Sequence, residues 1–384
     1  MSKLPRGSAA IVGAATFGIG EAPGYSSLEL AAQAALLALA DAGLRPADVD
    51  ALFCCLPSDQ LSTLSLAEYL GIDPVFTDNN RTGGSAFLTH VEIASMALHL
   101  EMCDVALITY GSNQRSAAGR LVGAIEGGSG FEAPYRPLIP ISAYALAASR
   151  HMYEFGTTRE QLAEVAVAAR AWAQRNPDAF QRDDLTIADC LNARMVSSPL
   201  GVRDCCLVTD GAGAIVLVRP DRARDHPRPP VHVLGCGTAV THREISSMPD
   251  LTVTGAAKSS ACAYAQARLG PEDVDVVQLY DAFTINTILF LEDLGFCPKG
   301  EGGRFVSGGA TAPGGRLPVN TNGGGLSCVH PGMYGIFTLI EATEQLRGTA
   351  GDRQVNGANV ALCHGNGGVL SHQATVILGS EATL

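Results

Sequence analysis

Charge is what this sequence has least of. Only 17% of its 384 residues are Asp, Glu, Lys or Arg, against 47% hydrophobic ones, a balance that suits much buried secondary structure and a large subunit interface, so an oligomer is expected. What charge there is leans acidic. Its 38 carboxylates against 26 lysines and arginines leave −12, which excludes nucleic acid and an anionic membrane surface as general partners. No clear basic cluster offers itself to a phosphate-bearing ligand. No apolar run reaches the length of a membrane span, and Met1 to Gly7 lacks the charged-then-apolar layout of a secretory leader. The final residues, Glu381-Ala-Thr-Leu384, are not a peroxisomal tripeptide. The 11 cysteines show no paired Cys-x-x-Cys spacing, so no metal site is expected and the thiols read as reduced ones of a cytoplasmic protein. Low-complexity segments and heptad repeats are absent too.

What is present is an α/β pattern that occurs twice. Ala9-Ala-Ile-Val-Gly-Ala reads as a buried strand, followed by an amphipathic helix over about Ser27 to Ala42 that Gly43 closes. Arg45-Pro-Ala-Asp-Val-Asp then leads into a strand over Ala51 to Leu56. Further on, a helix over about Val253 to Leu269, closed by Gly270, precedes Pro271-Glu-Asp-Val-Asp and a strand over Val276 to Tyr280. Pro46, Asp48, Val49 and Asp50 thus match Pro271, Asp273, Val274 and Asp275. Asp104-Val-Ala-Leu-Ile-Thr-Tyr-Gly likewise finds an echo in Asn359-Val-Ala-Leu-Cys-His-Gly. Two echoes in one order predict a duplicated unit, with halves over 1–222 and 231–384 and a polar, proline-rich linker from Arg219 to Pro230. Within the first half, Gly83-Gly84-Ser85 opens a helix over Ala86 to His99. The region of about 115–200, with Glu126-Gly-Gly-Ser-Gly and Pro134 to Pro140, reads as an insertion before a closing strand over Ile215 to Val218.

The stretch with most chemical promise is Asn320 to Gly335. Gly323-Gly-Gly325 allows close backbone approach, and His330-Pro331-Gly332 predicts a turn that starts a helix. A neutral imidazole is favoured at a helix N-terminus, where His330 would donate to a carbonyl oxygen gaining negative charge.

Four ordered motifs give the chain a family likeness over nearly its whole length. They are Asp204-Cys-Cys with Thr209-Asp210-Gly-Ala, Tyr280-Asp281-Ala-Phe283, Gly323-Gly-Gly with His330-Pro, and Cys363-His364-Gly-Asn-Gly-Gly. The sequence resembles the thiolase superfamily, and in particular the sterol-carrier-protein-type thiolases, lipid-transfer proteins among them. That resemblance implies the thiolase fold, five-layered α-β-α-β-α from two duplicated halves, a homodimer, and a coenzyme A thioester as substrate with no separate cofactor.

The departures from the family are as informative as the match. Thiolases place a nucleophilic cysteine where Asn80-Arg-Thr-Gly-Gly-Ser-Ala-Phe opens the helix; Gly83 falls in that place, and no residue between Asp78 and His90 is a cysteine. Ser85 lacks an evident base and reads as a cap. Tyr280 stands where thiolases hold a catalytic water, and Tyr334 comes four residues after His330, about one helical turn on. This combination is similar to the thiolase-like aldolases of steroid side-chain degradation. The similarity implies retro-aldol cleavage of a β-hydroxyacyl-CoA, with Tyr280, Tyr334 and His330 catalytic and Gly83, Gly84, Ser85, Asp281, Cys363 and His364 lining the substrate site. It also implies a small OB-fold partner with a zinc ribbon. His330 and His364 are the expected donors that would lower a basic tyrosine. Two other readings stay open: a thiolase-like acyltransferase (acetyl-CoA acetyltransferase) using an unorthodox nucleophile such as Cys363, and a non-catalytic acyl-CoA-binding subunit.

Overall fold

A computed structural model describes residues 4–118 and 131–384. In chain order it contains β1 (Ala10–Gly20), α1 (Ser27–Ala42), β2 (Ala51–Cys54), α2 (Ser62–Leu70), β3 (Phe76–Asp78), α3 (Ala86–His99) and β4 (Val105–Ser112). Next come α4 (Ile141–Phe155), α5 (Arg159–Ala173), α6 (Ile187–Leu191), the short strands β5 (Met195–Ser197) and β6 (Leu200–Gly201), and β7 (Asp210–Val218). The remainder is β8 (Val231–Val240), α7 (Ala256–Ala267), β9 (Val276–Leu279), α8 (Thr284–Asp293), α9 (Gly302–Val306), α10 (Gly335–Arg347), β10 (Val360–Gly367) and β11 (His372–Gly379).

The pairing order is β3-β2-β4-β7-β1-β8-β11-β10-β9. The run β2-β4-β7-β1 is parallel, antiparallel, antiparallel, and so is β9-β10-β11-β8. The two runs join where Ala10 and Ile11 pair with His232 and Val231. Helices α3 and α10 each touch strands of both runs, so the ladder folds around them; α1 covers β1, β4 and β7 outside, and α7 covers β8 and β11. The result is the expected five layers, α-β-α-β-α. Strand parity sorts the core accordingly. Ala10, Val12, Val216 and Val218 pack with α1, whereas Ile11, Ile215 and Leu217 face the central helices.

The repeated motif turns out to be a repeated device. Asp48 caps a 3-10 turn by accepting the Arg45 N–H (2.8 Å), and Asp273 does the same for Gly270 (2.8 Å). Asp50 then accepts the N–H groups of Asp104 and Val105 (both 2.8 Å at their shortest), and Asp275 those of Asn359 and Val360 (2.8 and 2.9 Å). Each carboxylate therefore clamps the start of the strand that carries the second echo.

Some local expectations shift. Helix α7 is shorter than 253–269: the Asp293 carboxylate holds the Thr254 N–H and hydroxyl in a loop, and Arg268, at φ +56°, ends the helix before Gly270. His330 does not stand at a helix N-terminus, because α10 begins only at Gly335. Pro331 and Gly332, at φ +95°, lie in an irregular turn instead. Within about 115–200 the described residues form α4, α5, α6 and the β5–β6 hairpin, and α4 is tied down by buried His151, which bonds Thr157 (2.8 Å) and Glu292 of α8 (3.0 Å). Glu126-Gly-Gly-Ser-Gly lies outside the described residues. Among those residues no helix is long and apolar enough to cross a membrane.

Because Asp50 and Asp275 perform one task, Asp50→Ala and Asp275→Ala should each cost about 2–3 kcal/mol, the scale of hydrogen bonds from two backbone donors to a charged acceptor. Chemical denaturation measures both. Costs under about 0.5 kcal/mol would show the clamps to be dispensable.

Candidate active site

Parallel strands β9 and β10 end beside each other, and their carboxyl ends deliver the chain to one cavity of about 440 Å³. The Tyr280 N–H donates to the His364 carbonyl (2.9 Å), so the residue after β9 carries its ring out of the sheet into this space. Opposite it lies the start of α3, where Gly83 and Gly84 line the cavity. A Cβ on Gly84 would overlap the Tyr280 ring, so ring and absent side chain share one volume.

His330 closes that wall. Its Nε2 lies 3.1 Å from the Tyr280 hydroxyl, whose single proton can go to that nitrogen or to the Gly332 carbonyl, 3.4 Å away. Two hydroxyls of the first half fix this turn. Thr209 accepts the His330 N–H (3.0 Å), and Tyr110 donates to the Pro331 carbonyl (2.5 Å) while accepting the Met333 N–H (3.2 Å). Burial holds His330 down at about 4, so its ring is neutral near pH 7, and burial pushes the Tyr280 phenol well above its ordinary value.

Other expected residues stand elsewhere. Tyr334 is wholly buried and does not line the cavity: its ring meets Tyr280 edge-on (centroids 5.8 Å apart, 84°), stacks on His330 (6.4 Å, 11°), and its hydroxyl donates to Asn322 Oδ1 (2.9 Å). Ser85 is buried below the cavity and donates to the Thr82 carbonyl (3.3 Å). Asp281 does not touch the cavity either; its carboxylate accepts the Gly325 N–H (2.6 Å) and braces the glycine loop, with burial raising it to about 7. Cys363 and His364 are displaced by strand parity. Along β10, Cys363 turns to α10, where its thiol donates to the Thr338 carbonyl (3.4 Å). His364 turns to the opposite face, against Phe290, and bonds Thr375 and Gln373 (both 2.9 Å), so it cannot tune Tyr280 through its ring.

Among the cavity residues that the sequence reading did not assign to the site are Cys205, Cys206 and Tyr144. Cys205 and Cys206 reach it because their segment pairs with the chain after Tyr280: the Cys206 N–H donates to the Ala282 carbonyl (2.8 Å). Burial pushes the Cys205 thiol up to about 12 and the Cys206 thiol well above its ordinary value, so neither is an activated nucleophile. The third is Tyr144 of α4, whose ring lies 4.4 Å from that of Phe283. Nothing in the inserted region's composition singles it out.

Residues 237–380 match the family described as thiolase C-terminal domain-like. A steroid side-chain-cleaving aldolase of Thermomonospora curvata is 35% identical over 388 residues, covering 96% of this chain and 97% of that protein. The chain belongs to the thiolase superfamily. An acetyl-CoA acetyltransferase of Methanothermobacter thermautotrophicus is also 35% identical, over 374 residues, with 94% and 96% covered. The solved structure named Ltp2-ChsH2(DUF35) aldolase superposes with a TM-score of 0.87 at 34% identity, covering 98% of this chain and 99% of that one. This thiolase-fold chain has the superfamily's layers and motifs but carries no cysteine at the start of α3.

The shared volume of Gly84 and Tyr280 makes a double-mutant test. Gly84→Ala should cost about 1–3 kcal/mol through overpacking. In a Tyr280→Ala background the same change should cost close to nothing, because the methyl then enters vacated space. Equal costs in both backgrounds, read by urea midpoints, would mean that the two side chains do not compete.

Proposed function

We propose that this protein cleaves a carbon–carbon bond of a β-hydroxyacyl-CoA by a retro-aldol reaction, yielding a ketone and a short acyl-CoA such as propanoyl-CoA, with no covalent acyl-enzyme. The observation that carries this reading is the Tyr280 ring, hydrogen-bonded to His330, in the space that a side chain at 84 would need. A phenol and an imidazole within 3.1 Å can move protons, whereas acyl transfer needs an activated nucleophile that this wall does not offer. The name of the Thermomonospora relative supports a steroid side-chain thioester as substrate. The acetyltransferase relative names the competing activity, but Cys363 faces Thr338 and is wholly buried, so nothing at the cavity favours it.

The geometry suits a relay that keeps Tyr280 neutral. The β-hydroxyl gives its proton to the Tyr280 oxygen while the phenolic proton passes to His330 Nε2. The Cα–Cβ pair then moves into the thioester as an enolate, the ketone carbonyl forms, and the enolate takes at Cα the proton that His330 returns through Tyr280. A buried imidazolium is costly alone, and the adjacent enolate charge offsets that cost. Tyr334 is proposed as the second phenol of the reaction, on family resemblance; from its place behind Tyr280 it reaches substrate only by giving up Asn322.

The name of the solved neighbour supports a small partner protein, for which an OB-fold with a zinc ribbon is the proposed form. A homodimer is proposed as well. Strand β3 is a sheet edge, and Leu61, Leu64, Tyr69 and Val75 near it leave half or more of their surfaces exposed. The cytoplasm is the proposed compartment.

Tyr280→Phe and His330→Ala should fold normally and lose about 10²–10⁴ in kcat for β-hydroxyacyl-CoA cleavage, the range of a lost acid or base. Tyr334→Phe should fall in that range if its phenol moves a proton. Folded Tyr280→Phe and Tyr334→Phe variants that each keep more than about a third of the rate would end the mechanism.

The relay also sets a pH profile. It needs neutral His330, whose value is depressed to about 4, so activity should be lost as pH falls through that value and not through the ordinary 6.5. Cleavage at about pH 5.5 should stay within about twofold of that at pH 7. An acid limb centred near 6.5 would contradict the neutral, water-excluded imidazole.

A further inference from the structure

The cavity has a second polar pole. Apart from Tyr280, His330 and the exposed Arg194, its walls are mostly glycine, thiol and apolar side chains, interrupted by the buried Tyr144 hydroxyl and Asn366 amide. The two are bonded to each other: Asn366 Nδ2 donates to the Tyr144 oxygen (2.7 Å). The Tyr144 hydroxyl in turn donates to the Gly368 carbonyl (3.2 Å). Gly367 and Gly368 pack directly against Gly83, so this pole flanks the start of α3.

Behind Asn366 runs a chain of buried side chains built on two cross-strand pairs. Asn366 and Gln373 face each other in the β10–β11 register, and so do His364 and Thr375, two residues further along the same face. Gln373 Nε2 donates to Asn366 Oδ1 (2.8 Å), His364 Nε2 meets Gln373 Oε1 (2.9 Å), and Thr375 Oγ1 meets His364 Nδ1 (2.9 Å). The Ser259 hydroxyl of α7 completes the row at 2.8 Å from Thr375. An amide oxygen only accepts, so with Gln373 in this orientation His364 carries its proton on Nε2 and Thr375 donates to Nδ1. Every bond of the row then donates toward Tyr144. Such a row polarises cooperatively and leaves the phenol a stronger donor than it would be alone.

We propose that Tyr144 donates a hydrogen bond to the carbonyl oxygen of the acyl-CoA thioester and holds that oxygen as the enolate forms, with Asn366, Gln373 and His364 as positioning residues behind it. This rests on the retro-aldol reading, in which Tyr280 and His330 serve the β-hydroxyl; the substrate's other reacting oxygen then meets the other polar pole. The Gly368 carbonyl is the acceptor that a thioester oxygen, and still more an enolate oxygen, would replace.

The test separates binding from cleavage. Acetyl-CoA labelled with ¹³C at the thioester carbonyl is bound to the full-length protein, and the carbonyl stretch is read by difference infrared spectroscopy. The wild type should shift it to lower frequency. Tyr144→Phe, which keeps the ring, should abolish the shift, Gln373→Leu should reduce it without touching the cavity, and Tyr280→Phe should leave it in place. In cleavage assays Tyr144→Phe should lose about 10² in kcat, the cost of one oxyanion donor, with KM little changed. A folded Tyr144→Phe variant that retains the wild-type carbonyl shift overturns the proposal, whatever its cleavage rate. If the shift depends on Tyr144 while no β-hydroxyacyl-CoA is cleaved, the thioester site stands and the retro-aldol reading fails.

Discussion

Two hydroxyls from the first half of the chain hold the turn that carries His330, and the rest of the site depends on them. Thr209 binds the His330 N–H and Tyr110 binds the backbone on either side of Gly332. Without them His330 would sit on an irregular turn five residues ahead of α10, with two residues, Pro331 and Gly332, that favour other conformations. With them, the imidazole meets a phenol that arrives from β9 in the second half. The reacting wall therefore spans the junction of the two folded runs of strands. Its geometry is only as good as their packing around α3 and α10.

The same junction explains why the fold repeats its scaffold and not its site. Asp50 and Asp275 clamp equivalent strand starts, and each repeat builds the same three-bond order of pairings. At the carboxyl ends the equivalence stops. Position 110 in β4 is a tyrosine that braces the His330 turn, whereas the echoing position 365 in β10 is a glycine that lies against α3. One repeat thus supplies support and the other supplies chemistry, with the inserted α4 adding Tyr144.

Much of this was legible in the sequence, and the failures have physical reasons. The helix over Ala86 to His99 follows from its apolar spacing, although the Ser85 side chain does not cap it as expected, and the pairing of echoes at Asp50 and Asp275 follows from local spacing that the chain carries in neighbouring residues. Tyr280 was found because its motif departs from the family pattern, and His330 because its motif keeps that pattern. Cys363 and His364 were misplaced because a motif read as a unit hides parity: successive residues of β10 face opposite layers, and it is Asn366, on the face of His364, and Gly367, both at the strand's end, that reach the cavity. Asp281 was misread for a related reason, since a carboxylate next to a catalytic candidate has equal cause to brace a glycine loop. Tyr144 left no local trace, because its place depends on α4 being anchored through His151 to α8, across more than a hundred residues of sequence.

The shared volume at Gly84 and Tyr280 has a consequence for the history of the chain. Any side chain introduced at 84 collides with the ring, and a small residue introduced first at 280 removes the phenol while leaving a hole. A nucleophile could thus be placed at 84 only through an intermediate that is either overpacked or lacks its proton carrier, so the two positions are bound by epistasis.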